Sequence, residues 1–193
     1  STFDMRSSNL DKEQSMLLRK ALDEYEKTAR YISIVRKART VEEIRSEVEE
    51  KIRMRESNPV VIVDFLQRLE FPRPNMSYRE AVDFNLSYLK ELSDDYNLTI
   101  IVISSFNRDN YNNEVRMQSF KESGGIEYTA DVVIGLQLTK IQESKKFDSK
   151  DIDKWKSENP RKIQAVILKY RNGPICERAN FKYYPAYNKF EEI

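Results

Sequence analysis

The sequence contains no histidine and only one cysteine, Cys176, among its 193 residues. The first absence excludes histidine-based acid–base catalysis and histidine-ligated metals; the second excludes an internal disulfide and a cysteine zinc cluster. Glycine is scarce as well. The four glycines are Gly124, Gly125, Gly135 and Gly173, and none begins a G-x-x-x-x-G-K-[ST] phosphate loop. No apolar run is long enough for a signal h-region or a membrane span, so the expected setting is the reducing cytoplasm, without membrane attachment. Excess charge is missing too. Lys+Arg 33 against Asp+Glu 32 leaves a formal charge of +1, so nucleic acid must be met by a local patch rather than a global field. Carboxylates, Lys, Arg, Ser and Tyr remain to carry chemistry.

What is present is a hydrophobic fraction of 39%, enough for one domain with one sizeable core. Leu10, Leu17, Leu18, Ala21, Leu22 and Tyr25 recur at helical spacing and predict an amphipathic helix up to Ala29, followed by a short strand over Ile32 to Val35. Thr40 and Glu43 have capping-box spacing and open a second helix along Val41, Ile44, Val48 and Ile52. Pro59 introduces the unbroken apolar run Val60 to Leu66, interrupted only by Asp64, which suits a strand buried on both faces of a parallel sheet. Ser77 and Glu80 make a second capping box before a third helix, and Thr99 to Ile103 forms a second buried strand. Val132 to Leu136 and Ile163 to Lys169 supply two more strands, and Phe181 to Tyr184 an edge hairpin. Helices alternating with β-rich runs predict an α/β fold with a mainly parallel sheet. Residues 140–162 are charged without periodicity and read as a surface insertion.

In an open parallel sheet, ligands bind beyond the carboxyl ends of the strands, which singles out the polar residues there. Asp64 closes a β-branched run, the arrangement in which a carboxylate orients Mg²⁺ beside nucleotide phosphates; the plain alternative is an Asp capping a loop. Ser104 to Arg108 follows the next strand and offers hydroxyls, an amide and a cation to phosphate or water, or simply turn chemistry. Gly124 and Gly125 are adjacent, so backbone amides there could approach a phosphate, although such a pair alone more often marks a tight turn. Lys169 and Arg171 fall on one side of a strand end, before Gly173-Pro174. Two such cations repel unless an anion lies nearby. Solvated edge charges are one reading, and contact with a neighbouring subunit's phosphate is the other.

In order and wording these segments resemble the C-terminal motor domain of DnaB-type replicative DNA helicases over most of the chain. The resemblance is densest in Thr40 to Arg45, Val61 to Gln67, Ser104 to Arg108, Lys121 to Val133, Lys169 to Pro174 and Phe181 to Glu191. It implies a RecA-like three-layer fold over residues 1–193, incomplete at its P-loop end, because the family's Walker A would precede Ser1. It implies ATP and Mg²⁺ as cofactors, with Asp64 inheriting the magnesium role. Lys169 and Arg171 inherit the reach into the next subunit's nucleotide site. Asp4 falls where the family keeps a catalytic Glu, as a shortened base. Ser105 and Arg108 fall in the nucleotide-sensing segment, with Ser105 where the family has Gln. Lys121, Glu122 and Gly124 fall in the loop that contacts single-stranded DNA, with Lys121 in place of Arg and thus without its fork geometry.

The function implied is an ATP-dependent helicase motor that translocates on single strands as a homo-oligomeric, hexameric ring in DNA replication, with a loader or primase as partner. Without a phosphate cradle the chain alone is expected to be inactive. Two alternatives are a non-catalytic RecA-like assembly module and a single-strand DNA-binding protein without ATPase activity.

Overall fold

The computed structural model describes residues 10–55, 57–107, 113–120, 123–144 and 146–193. Helix α1 (Lys12–Ala29) is opened by a capping box between Asp11 and Gln14. Helix α2 (Val41–Arg55) is opened by Thr40, whose hydroxyl accepts from the Glu43 amide at 3.2 Å while the Glu43 carboxylate accepts from the Thr40 and Arg39 amides. Strand β1 (Val61–Val63) leads through a short 3-10 turn at Leu66–Arg68 to helix α3 (Tyr78–Tyr96). The Ser77/Glu80 capping box starts α3, and Asn97 in the left-handed conformation ends it. Strand β2 (Ile100–Val102), helix α4 (Ser123–Thr129) and strand β3 (Val132–Leu138) follow. Two short helices, α5 (Thr139–Glu143) and α6 (Ser149–Ser157), precede β4 (Arg161–Tyr170), β5 (Arg178–Tyr184) and β6 (Lys189–Glu192).

The core gathers around α3. Its Ala81, Val82, Leu86, Leu89 and Leu92 are buried, against Leu66, Phe120, Ile126 and Val133 towards one end and Val41, Val48, Val63 and Leu98 towards the other. Burying side chains of this size contributes roughly 1.5–3 kcal/mol each, which makes α3 the element the rest is organised on.

The chain mixes helix and strand as expected, but the sheet is not mainly parallel among the described residues. Only β1 and β2 pair in parallel; β3, β4, β5 and β6 form a four-stranded antiparallel sheet in that order. The reason lies in the connections. Turns at 171–177 and 185–188 are too short for crossovers, and α5 and α6 return the chain to the end of β3 it left, with Ile163 opposite Leu138. Within 140–162, Ile141, Phe147, Ile152 and Trp155 pack on Leu138 and Ile163.

Two further expectations change. Ile32 to Val35 pairs with no strand among the described residues, and its side chains are exposed; a cleft of about 1030 Å³ lies between this segment, α2 and the open side of β1. β-Propensity alone does not make a strand; it needs a neighbouring strand to pair with, and none of the described strands pairs with this segment. Strand β1 is buried on one face only, since Val63 is 7% exposed and Ile62 is 64% exposed. The same alternation leaves Ile101, Ile134 and Leu136 facing outwards.

Candidate functional site

The parallel register of β1 and β2 sets the carboxyl ends of both strands side by side. The Ile103 amide donates to the Val63 carbonyl at 3.0 Å and the Leu66 amide to the Ile103 carbonyl at 2.9 Å, so the two loops leave the sheet together. Asp64 stands exposed at this rim, at one end of the cleft beside β1. Ser104 and Ser105, half-buried, stand on the adjoining loop. Gln67 ties the two loops: its Nε2 donates to Ser104 Oγ at 2.8 Å, and its Oε1 accepts from the Ser105 amide at 3.2 Å. The run Val61 to Gln67 contains this residue, but its spacing gives no hint that the amide spans to the next strand.

Among the described residues no three acidic, Cys or His side chains group closely enough to hold a metal ion. A lone, exposed carboxylate at a strand end still fits Mg²⁺, which keeps most of its water and takes one or two carboxylates plus substrate phosphates. Asp64 is a carboxylate of that kind, with the hydroxyls of Ser104 and Ser105 on the neighbouring loop.

The second group forms where α3, α4 and the end of β4 meet. Arg171 Nη1 lies 2.8 Å from Asp131 Oδ1, and the Arg171 amide donates to the Asp131 carbonyl at 2.9 Å. Lys169 Nζ donates to the Glu127 carbonyl at 2.5 Å. Lys90 of α3 reaches Asp131 Oδ2 at 3.1 Å and Asp94 Oδ1 at 2.8 Å. The anion that two same-side cations require is therefore found within the chain. The hydrogen bond from Lys90, supported by the charges of Arg171 and Lys169, holds the Asp131 carboxyl below its ordinary range, against the opposing effect of partial burial. The bonds to Asp94 and then Asp131 hold Lys90 above its ordinary range. Neither Lys169 nor Arg171 is buried; the Arg171 side chain is 49% exposed.

Gly124 and Gly125 form neither a turn nor a phosphate cradle. Both lie in the first turn of α4, and no glycine has a positive φ. A Cβ on Gly125 would lie 2.0 Å from Asp83 Oδ1 and 3.3 Å from Leu86 Cδ1, so the glycine serves the close approach of α4 to α3. Asp4, Arg108, Lys121 and Glu122 lie outside the described residues. The structure thus brings Asp64 and Ser105 together at one rim, and Lys169 and Arg171 together at the end of β4.

The model of the DnaB-like helicase C terminal domain family matches residues 1–192. The chain is 27% identical over 173 residues to the replicative DNA helicase DnaB of Helicobacter pylori (strain ATCC 700392 / 26695), covering 86% of this chain and 34% of that protein. It is 25% identical over 193 residues to the replicative DNA helicase DnaC of Bacillus subtilis (strain 168), covering 98% of this chain and 39% of that protein. The chain therefore spans between a third and two fifths of these relatives. Among solved structures, a DnaB-like replicative helicase described with its interactions with primase superposes with a TM-score of 0.77 at 22% identity, over 94% of this chain and 41% of that one. A second solved structure, described as an ATPase domain, superposes with a TM-score of 0.66 at 22% identity, over 80% of this chain and 52% of that one.

Proposed function

The chain belongs to the DnaB-like helicase C-terminal domain family, and from that premise we propose that it is the part of an ATP-dependent helicase motor that carries the metal-orienting carboxylate and the cations acting across a subunit interface. The parent would work in the cytoplasm as a hexameric ring that moves along single-stranded DNA during replication, in contact with a primase or loader. When bound, Mg²⁺ and ATP would supply the phosphoryl bond whose hydrolysis drives that movement. Asp64 would orient the metal's water shell, with the Ser104–Ser105 loop beside it held by Gln67. Lys169 and Arg171 would stabilise negative charge developing on the neighbouring subunit's nucleotide. Lys121, Glu122 and Gly124 would line the DNA-contacting loop, with Arg108 and Ser105 near the terminal phosphate and Asp4 as a shortened base. The outward-facing Ile62, Ile101, Ile134 and Leu136 would be covered by the remainder of the motor domain.

The observation that carries this reading is the exposure of Arg171 at the open end of β4, where a foreign phosphate can reach it. Because no glycine of the chain opens a phosphate loop, the purified chain is expected to show no sustained hydrolysis of Mg²⁺-ATP in a coupled phosphate-release assay. Steady turnover abolished by Asp64→Asn would overturn that expectation. The replacement of the sensing Gln by Ser105 favours a second reading, a RecA-like module kept for ring assembly alone. In that case substitutions at Asp64 and Arg171 would leave the activity of a ring containing this chain unchanged.

A further inference from the structure

Asp131 sits between two cations and divides its oxygens between them, Oδ1 to Arg171 at 2.8 Å and Oδ2 to Lys90 at 3.1 Å. Lys169 is tied instead to a neutral carbonyl, that of Glu127, and meets Asp131 only through its charge, without a direct ion pair among the described residues. We propose that Asp131 is an exchangeable latch for Arg171: it holds the guanidinium in the free subunit and yields it to an incoming phosphate, while Lys90 keeps the carboxylate compensated afterwards. The inference rests on the reading of Arg171 as a phosphate-directed cation.

Three features support exchange over a fixed structural pair. Asp131 and Arg171 are each 49% exposed, so their pair is a weak surface interaction, whereas a phosphate offers the guanidinium shorter, charge-assisted, bidentate bonds. Loss of Arg171 from Oδ1 does not orphan Asp131, because Lys90 remains on Oδ2 and is itself steadied by Asp94. The backbone bond from the Arg171 amide to the Asp131 carbonyl fixes the base of the arginine, so only its side chain need swing. Lys169, bonded only to a carbonyl, adds a second positive charge that attracts the anion before the latch opens. Glu127 lies on α4 and Asp131 just after it, so the latch and the Lys169 tether belong to one short stretch of chain.

The test is calorimetric titration of the full chain with inorganic tripolyphosphate. Asp131→Asn, and Asp131→Ser as a second variant of different shape, are expected to bind roughly two- to fivefold more tightly than the parent, the size of a released surface pair. Lys90→Met, which leaves Asp131 to Arg171 alone, is expected to bind more weakly by a similar factor. In an Arg171→Ala background the effect of Asp131→Asn should vanish. If Arg171→Ala weakens binding but Asp131→Asn and Asp131→Ser do not tighten it, the latch is wrong and the role of Arg171 stands. If Arg171→Ala binds as the parent does, the reading of Arg171 itself fails.

Discussion

Gly125 illustrates how narrowly single residues are constrained here. Placing alanine in α4 favours the helix by roughly 0.5–1 kcal/mol, but the new methyl collides with Asp83 and Leu86, and overpacking of this kind costs about 1–3 kcal/mol. The collision wins, so Gly125→Ala is expected to destabilise the chain by about 1 kcal/mol in urea unfolding; an unchanged or raised midpoint would contradict the packing. Asp64, Lys169 and Arg171 are legible in the sequence because a polar residue at the end of an apolar run is conspicuous. Asp131 and Gln67 are not. Their partners lie 41 and 37 positions away at Lys90 and Ser104, and a single carboxylate or amide carries no mark of a contact that only the fold creates.

Among the elements, the contrast between α3 and α1 is the sharpest test of where stability resides. Leu92 is fully buried, and Leu92→Ala is expected to cost about 2–5 kcal/mol. Leu17 on α1 is 63% exposed, and Leu17→Ala should change the unfolding free energy by less than about 0.5 kcal/mol. Equal losses would mean that α1 is packed in solution. Both helices were legible from apolar spacing, but spacing reveals an amphipathic face without revealing what covers it. The antiparallel sheet hides a similar feature: the Gln137 amide donates to Gln164 Oε1 at 2.9 Å, and the Gln164 amide donates to Asn180 Oδ1 at 3.0 Å, across β3, β4 and β5. Gln164→Leu should cost about 1–3 kcal/mol, because it leaves the Gln137 Nε2 donor without its acceptor in the interior. A neutral outcome would show that this ladder is dispensable. Its residues look like ordinary polar positions in sequence, and the expected strand at Ile32 to Val35 fails for the converse reason, having propensity but no partner strand among the described residues.

For the molecule as a whole, the absence of histidine sets the pH response. Asp131 is depressed in the fold, so its contribution is present above the unfolded carboxylate range and is lost only as pH falls through a still lower folded value. Lys90 is raised, so its contribution is present below the unfolded lysine range and is lost only as pH rises through a higher folded value. Thermal midpoints should therefore be flat between about pH 5.5 and 7.5; a step inside that window would contradict the assigned network. The mixture of helix and strand and the family were legible because motifs keep their order along the chain. The strand directions were not, since they follow from where each connection re-enters the sheet.

The central claim, that Asp64 and Arg171 serve the same reaction from opposite sides of a subunit interface, is tested most directly by mixing. Two forms of a ring-forming polypeptide carrying this chain with a glycine-rich phosphate loop, one Asp64→Asn and one Arg171→Ala, should each lose DNA-stimulated ATP hydrolysis by at least about a hundredfold. Co-assembled in equal amounts, they should regain activity, because about a quarter of interfaces then unite an intact Asp64 with an intact Arg171 from the next subunit. Mixed rings as inactive as either form alone would contradict the claim.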